Sequence, residues 1–74
     1  MSGVPNSSFA IQVNGEPVDI NGPQTLADLV AARGLAGKRI AIERNGEIVP
    51  KSQHASQVLQ PGDRLEIVIA VGGG

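Results

Sequence analysis

The chain has 74 residues, 41% of them apolar and 18% charged, with a net charge of −1 and no cysteine. Such a composition describes one globular domain, and it excludes disulfide staples, thiolate metal sites and a cysteine nucleophile. The basic residues are scattered among acids and Phe9 is the only aromatic residue, so neither a basic stripe nor a stacking platform for nucleic acid is present.

Residues 1–8, MSGVPNSS, lack the positive start and apolar stretch of a secretion signal and read as a disordered leader. No run of the chain approaches the roughly 18 apolar residues of a membrane span, so no membrane partner and a soluble cytoplasmic protein are expected. The domain proper is expected over 9–71. FAIQV sets Phe9, Ile11 and Val13 on one face at strand period, and Asn14-Gly15 follows as a type I′ hairpin signal. EPVDI returns with Val18 and Ile20 on one face. Pro17 cannot donate to a ladder, which places this strand at an edge or starts it after the proline.

Leu26, Leu29 and Val30 then fall at helical spacing, with Thr25 and Asp28 as a capping box and Gly34-Leu35 as a left-handed stop, so a helix is predicted over 25–33. RIAIER buries Ile40 and Ile42 in alternation, Asn45-Gly46 marks a second tight turn, and EIVP gives a short strand. Residues 51–58 are polar, with room for a single helical turn. Pro61-Gly62-Asp63 is a turn cluster before RLEIVIAV, whose Leu65, Ile67, Ile69 and Val71 share a face. A lone helix between hairpin-type pairs covers one face of a mixed sheet, and the right-handed crossover rule sets the last strand parallel to the first at the centre. The fold expected is α+β, a β-grasp (ubiquitin-like) arrangement with four to five strands and one main helix; a small open barrel is the alternative.

Few residues of this body carry chemistry. His54 lies in KSQHASQ without a second His or Cys at ligand spacing, so a solvated loop histidine rather than a metal site is expected. Ser52 and Ser56 flank it without an orienting acid, and Asp19, Glu43, Glu47, Asp63 and Glu66 are spread over turns and strand faces as solvated charge. On the outward face of the last strand, Val68 and Ala70 form an apolar strip that one helix cannot also cover, a candidate docking surface.

The segment that packing leaves unexplained is Gly72-Gly73-Gly74. No helix and no Lys-Ser/Thr follow it, so it is not a phosphate loop. A flexible strand without side chains can thread a narrow channel in a partner, and the Gly74 carboxylate at its tip is unhindered. Attack of that carboxylate on the α-phosphorus of ATP gives an acyl-adenylate, from which sulfur or an amine displaces AMP. The chain has no nucleotide or metal site for this, so the machinery belongs to a partner and no cofactor is expected here.

NGEIVPKSQHASQVLQPGDRLEIVIAVGGG resembles the second half of the thiamine-biosynthesis sulfur carrier family, ThiS. Similarity runs from about Phe9 to Gly74. Its specific parts are Asn45-Gly46-Glu47-Ile48-Val49-Pro50, Gly62-Asp63 and Gly73-Gly74. The resemblance implies a non-enzymatic carrier. Its Gly74 is adenylated by a ubiquitin-activating-type adenylyltransferase, receives sulfur from a cysteine desulfurase as a thiocarboxylate, and donates it to thiazole synthase. The leader and the third glycine, Gly72, depart from the plainest pattern. A sister carrier serving molybdopterin, cysteine or tRNA thiolation, a protein modifier, or an inert β-grasp module are the alternatives.

Overall fold

A computed structural model describes residues 8–70 of the chain. The elements are β1 (Ser8–Val13), β2 (Glu16–Asn21), α1 (Leu26–Ala32), β3 (Ile40–Arg44), β4 (Glu47–Val49), a 3₁₀ turn (Lys51–Gln53) and β5 (Arg64–Ile69). The five strands form a single sheet in the order β2-β1-β5-β3-β4, with β5 parallel to β1 and antiparallel to β3. Among the described residues the mixed sheet, with its central last strand and one α-helix, is the expected β-grasp, without barrel closure. Of the expected leader and tail, 1–7 and 72–74 lie outside the described residues, as does Val71; Ser8 is already paired with Asn21 in the hairpin.

Both Asn-Gly turns close two-residue hairpins. Asn14 and Gly15 have φ of 52° and 83°, and Asn45 and Gly46 have 52° and 89°, the double positive φ that a type I′ turn demands and that Asn and Gly tolerate best. Their registers, Val13 opposite Glu16 and Arg44 opposite Glu47, leave two residues in each loop. The second strand does not wait for the proline: β2 begins at Glu16, and Pro17 sits within it on the sheet edge, where its missing N–H disrupts no inner ladder.

Helix α1 is only seven residues long and is held by its ends. The Thr25 hydroxyl accepts from the Asp28 N–H while the Asp28 carboxylate accepts from the Thr25 N–H. The Leu26 and Ala27 amides donate to the Gln57 and His54 carbonyls, so the first turn has no orphan donor. At the other end Gly34, at φ 74°, donates to Ala31 and Leu35 donates to Val30, the paired bonds of a Schellman stop.

The core lies between α1 and the inner sheet face. Ile11, Val13, Ile20, Leu26, Ile42 and Leu65 are its most deeply buried side chains, each contributing about 1.5–3 kcal/mol. Leu59, from the irregular segment before β5, completes it, with no periodicity to announce it.

Two expectations are corrected, for His54 and Asp63, and one shared strand face proves unevenly buried. Ile69 keeps the inward parity of Leu65 and Ile67 but is 48% exposed, because its partner across the ladder is the half-buried Ile40, at the rim of the core. His54 is buried rather than solvated: the 3₁₀ turn folds it under the helix N-terminus, and its Nε2 lies 3.1 Å from the Val49 carbonyl oxygen. Asp63 is buried too. Its carboxylate pairs with the Arg44 guanidinium at 2.9 Å and accepts from the Asn45 side chain and the Gln60 N–H.

Candidate functional site

The element that leads toward the C-terminal glycines is β5, and the fold fixes it from both sides. Along β3 the pairing runs unbroken from Arg44–Leu65 to Ile40–Ile69, and the Ala70 N–H still donates to the Arg39 carbonyl at 2.9 Å. Along β1 the backbone rungs end with the Asn14 N–H donating to the Leu65 carbonyl, because β1 turns away at the hairpin. The Asn14 side chain adds one further rung. Its Oδ1 accepts from the Ile67 N–H at 2.8 Å and its Nδ2 donates to the Ile67 carbonyl at 3.2 Å, so a side-chain amide imitates the missing backbone. From Val68 onward β5 has outrun β1 and is paired on the β3 side.

Asn45 performs a matching task where β5 begins, accepting from the Arg64 N–H at 2.9 Å and donating to Asp63 at 3.1 Å. Arg44 adds bonds to the Gln57 side chain and the Val58 carbonyl, tying the irregular 57–63 segment to the sheet. The strand therefore reaches Ala70 on a rigid footing.

Among the described residues no helix lies over the outer sheet face. Val68 is 61% exposed and lies opposite Ala41, Ile48 on β4 is 63% exposed, and Ala70 is exposed beyond them. A shallow hollow of 240 Å³ is formed by Val68, Ala70, Ala41, Ile40, Arg39 and Lys51. Glu43 and Glu66 stand directly opposite one another at the far end, where Arg64 lines a second hollow with them and supplies an opposite charge, while Arg39 and Lys51 border the hollow beside Ala70.

Of the residues singled out by sequence, Val68 and Ala70 thus share the uncovered face, whereas Gly72, Gly73 and Gly74 lie outside the described residues. Sequence reasoning missed Ile48 and Ala41, whose alternation with Ile42 and Val49 was the available signal. Among the described residues no group of three or more His, Cys, Asp or Glu side chains is placed to hold a metal ion, and no helix is long and apolar enough to cross a membrane.

Comparison with known proteins decides the family. The model of the ThiS family matches residues 11–74. The chain belongs to the ThiS family. A ThiS relative from Bacillus subtilis, described as a sulfur carrier protein, is 38% identical over 65 residues, covering 86% of this chain and 98% of its own. A thiazole synthase from Paramagnetospirillum magneticum is 42% identical over 62 residues, 84% of this chain but 19% of that protein. This ThiS-family chain spans only about a fifth of the length of the thiazole synthases it matches. Among solved structures, a thiamine biosynthesis protein (ThiS) from Geobacter metallireducens superposes with a TM-score of 0.75 at 26% identity, covering 89% of this chain and all of its own.

Proposed function

We propose that this ThiS-family chain is a sulfur carrier of thiamine biosynthesis, a protein substrate rather than a catalyst, loaded at the carboxylate of Gly74. The observation that carries the reading is the family match across 11–74, which takes in β5, its outer face and all three terminal glycines. The carrier description of the Bacillus relative supports it, and the likeness to two thiazole synthases supports a thiazole synthase as the receiver of sulfur.

The chemistry follows from the carboxylate. In a partner adenylyltransferase, a Gly74 oxygen attacks the α-phosphorus of ATP and pyrophosphate leaves, giving an acyl-adenylate. The terminal sulfur of a persulfide, supplied by a cysteine desulfurase, attacks the acyl carbon and expels AMP. Two electrons from a thiol then cleave the resulting acyl disulfide and release the thiocarboxylate. This chain contributes no catalytic side chain and no cofactor. Gly72 and Gly73 present no Cβ to a narrow channel, and the outer face around Val68 and Ala70 docks on the partner.

Intact mass tests the reading. After incubation with ATP, a ThiS-activating enzyme, a desulfurase and cysteine, the protein is expected to gain about 16 Da as oxygen is replaced by sulfur. A variant lacking Gly74 is expected to fold and to gain nothing. An unchanged mass for the intact chain, or sulfur uptake by the shortened one, overturns the assignment.

A further inference from the structure

The sequence contains three Asn-Gly pairs, at 14–15, 21–22 and 45–46. Asn-Gly is the dipeptide most prone to deamidation, because glycine leaves its amide nitrogen unshielded. That nitrogen attacks the asparagine Cγ, ammonia leaves, and the five-membered succinimide takes up water at either carbonyl to give aspartate or isoaspartate. Attack requires the side-chain amide to swing onto the following nitrogen.

In two of the three pairs the fold prevents that swing. Asn14 is clamped to Ile67 at both Oδ1 and Nδ2, and Asn45 is clamped to the Arg64 N–H and the Asp63 carboxylate. Rotating either amide out breaks two bonds at once. At Asn14 it also strips the partners from the backbone of Ile67, a buried residue on the central strand. The asparagine backbone is pinned as well, the Asn14 N–H donating to the Leu65 carbonyl and the Asn45 N–H to the Arg64 carbonyl, which fixes the start of each turn.

The third pair differs. Asn21 closes β2 on the outer edge of the sheet, is exposed, and makes no side-chain hydrogen bond among the described residues. Gly22 follows at φ 79°, with open space where a Cβ would stand. We propose that, of the three Asn-Gly pairs, Asn21 is the one that deamidates spontaneously in the folded protein, and that Asn14 and Asn45 are shielded by the same side-chain bonds that hold β5. Conversion at Asn21 adds a negative charge at a solvated edge. At Asn45 it would set a new carboxylate against Asp63, and at Asn14 it would delete the donor to Ile67.

Peptide mapping by mass spectrometry tests this on the intact chain aged in warm, mildly alkaline buffer, following the gain of about one dalton at each asparagine. Asn21 is expected to convert at least about tenfold faster than Asn14 or Asn45 while the protein is folded, since each clamped amide must give up two hydrogen bonds. In urea the three rates are expected to converge within about twofold, because the clamps are gone. N21Q is expected to abolish the fast phase of the folded protein. Three results overturn the proposal: Asn14 or Asn45 converting as fast as Asn21 in the folded state, Asn21 proving as slow as the other two there, or the difference persisting in urea, which would assign it to local sequence.

Discussion

At the scale of single residues, polar side chains rather than apolar ones decide how β5 is seated. Arg44 meets the buried Asp63 carboxylate, the Gln57 side chain and the Val58 carbonyl. Arg44→Ala leaves that carboxylate without its cation, and urea denaturation is expected to show a loss of about 2–3 kcal/mol. Arg44→Lys is expected to recover only part, since an ammonium lacks the fork that reaches three acceptors. None of this was legible in the sequence. The two Asn-Gly pairs at 14–15 and 45–46 were readable as turns because their backbone conformation is a local property. Their clamping role was not, because the partner of Asn14 is 53 residues away. His54 and Asp63 misled for the same reason: their sequence neighbours are polar, and burial is imposed by elements that arrive from elsewhere.

At the scale of elements, α1 is too short to persist alone, so its caps and its packing against the sheet must hold it. Thr25→Ala removes the hydroxyl of the capping box and is expected to cost about 1 kcal/mol, which for a domain of this size lowers Tm by roughly 4–8 °C in a calorimetric scan. Leu26→Ala, at the first helical residue, empties a fully buried position and is expected to cost about 2–5 kcal/mol, comparable to the whole stability of a small domain. The helix and its stop signals were legible because caps and apolar spacing act over three or four residues. The strands were legible through alternation. Ile69 escaped because parity states which way a side chain points, not whether anything lies over it.

At the scale of the whole molecule, element order and the handedness of crossovers leave little freedom, so the position of β5 beside β1 is legible in the sequence. The uncovered outer face followed from counting one helix against two sheet faces, although its full extent, with Ile48 and Ala41, was not. Val68→Asp, at an exposed position of that face, is expected to change stability by no more than about 0.5 kcal/mol. Under the proposed carrier function it is also expected to slow loading of Gly74, measured as the rate of thiocarboxylate formation; an unaltered rate would remove this face from the proposed docking surface. The parallel alignment of β1 and β5 has a mechanical consequence as well. Tension applied between Ser8 and Ala70 acts along both strands in opposite directions, so the rungs joining them, the Asn14 amide included, are sheared together rather than peeled one after another. A force-extension trace across these ends should show one abrupt rupture, and replacing Asn14 by Ala should lower its height.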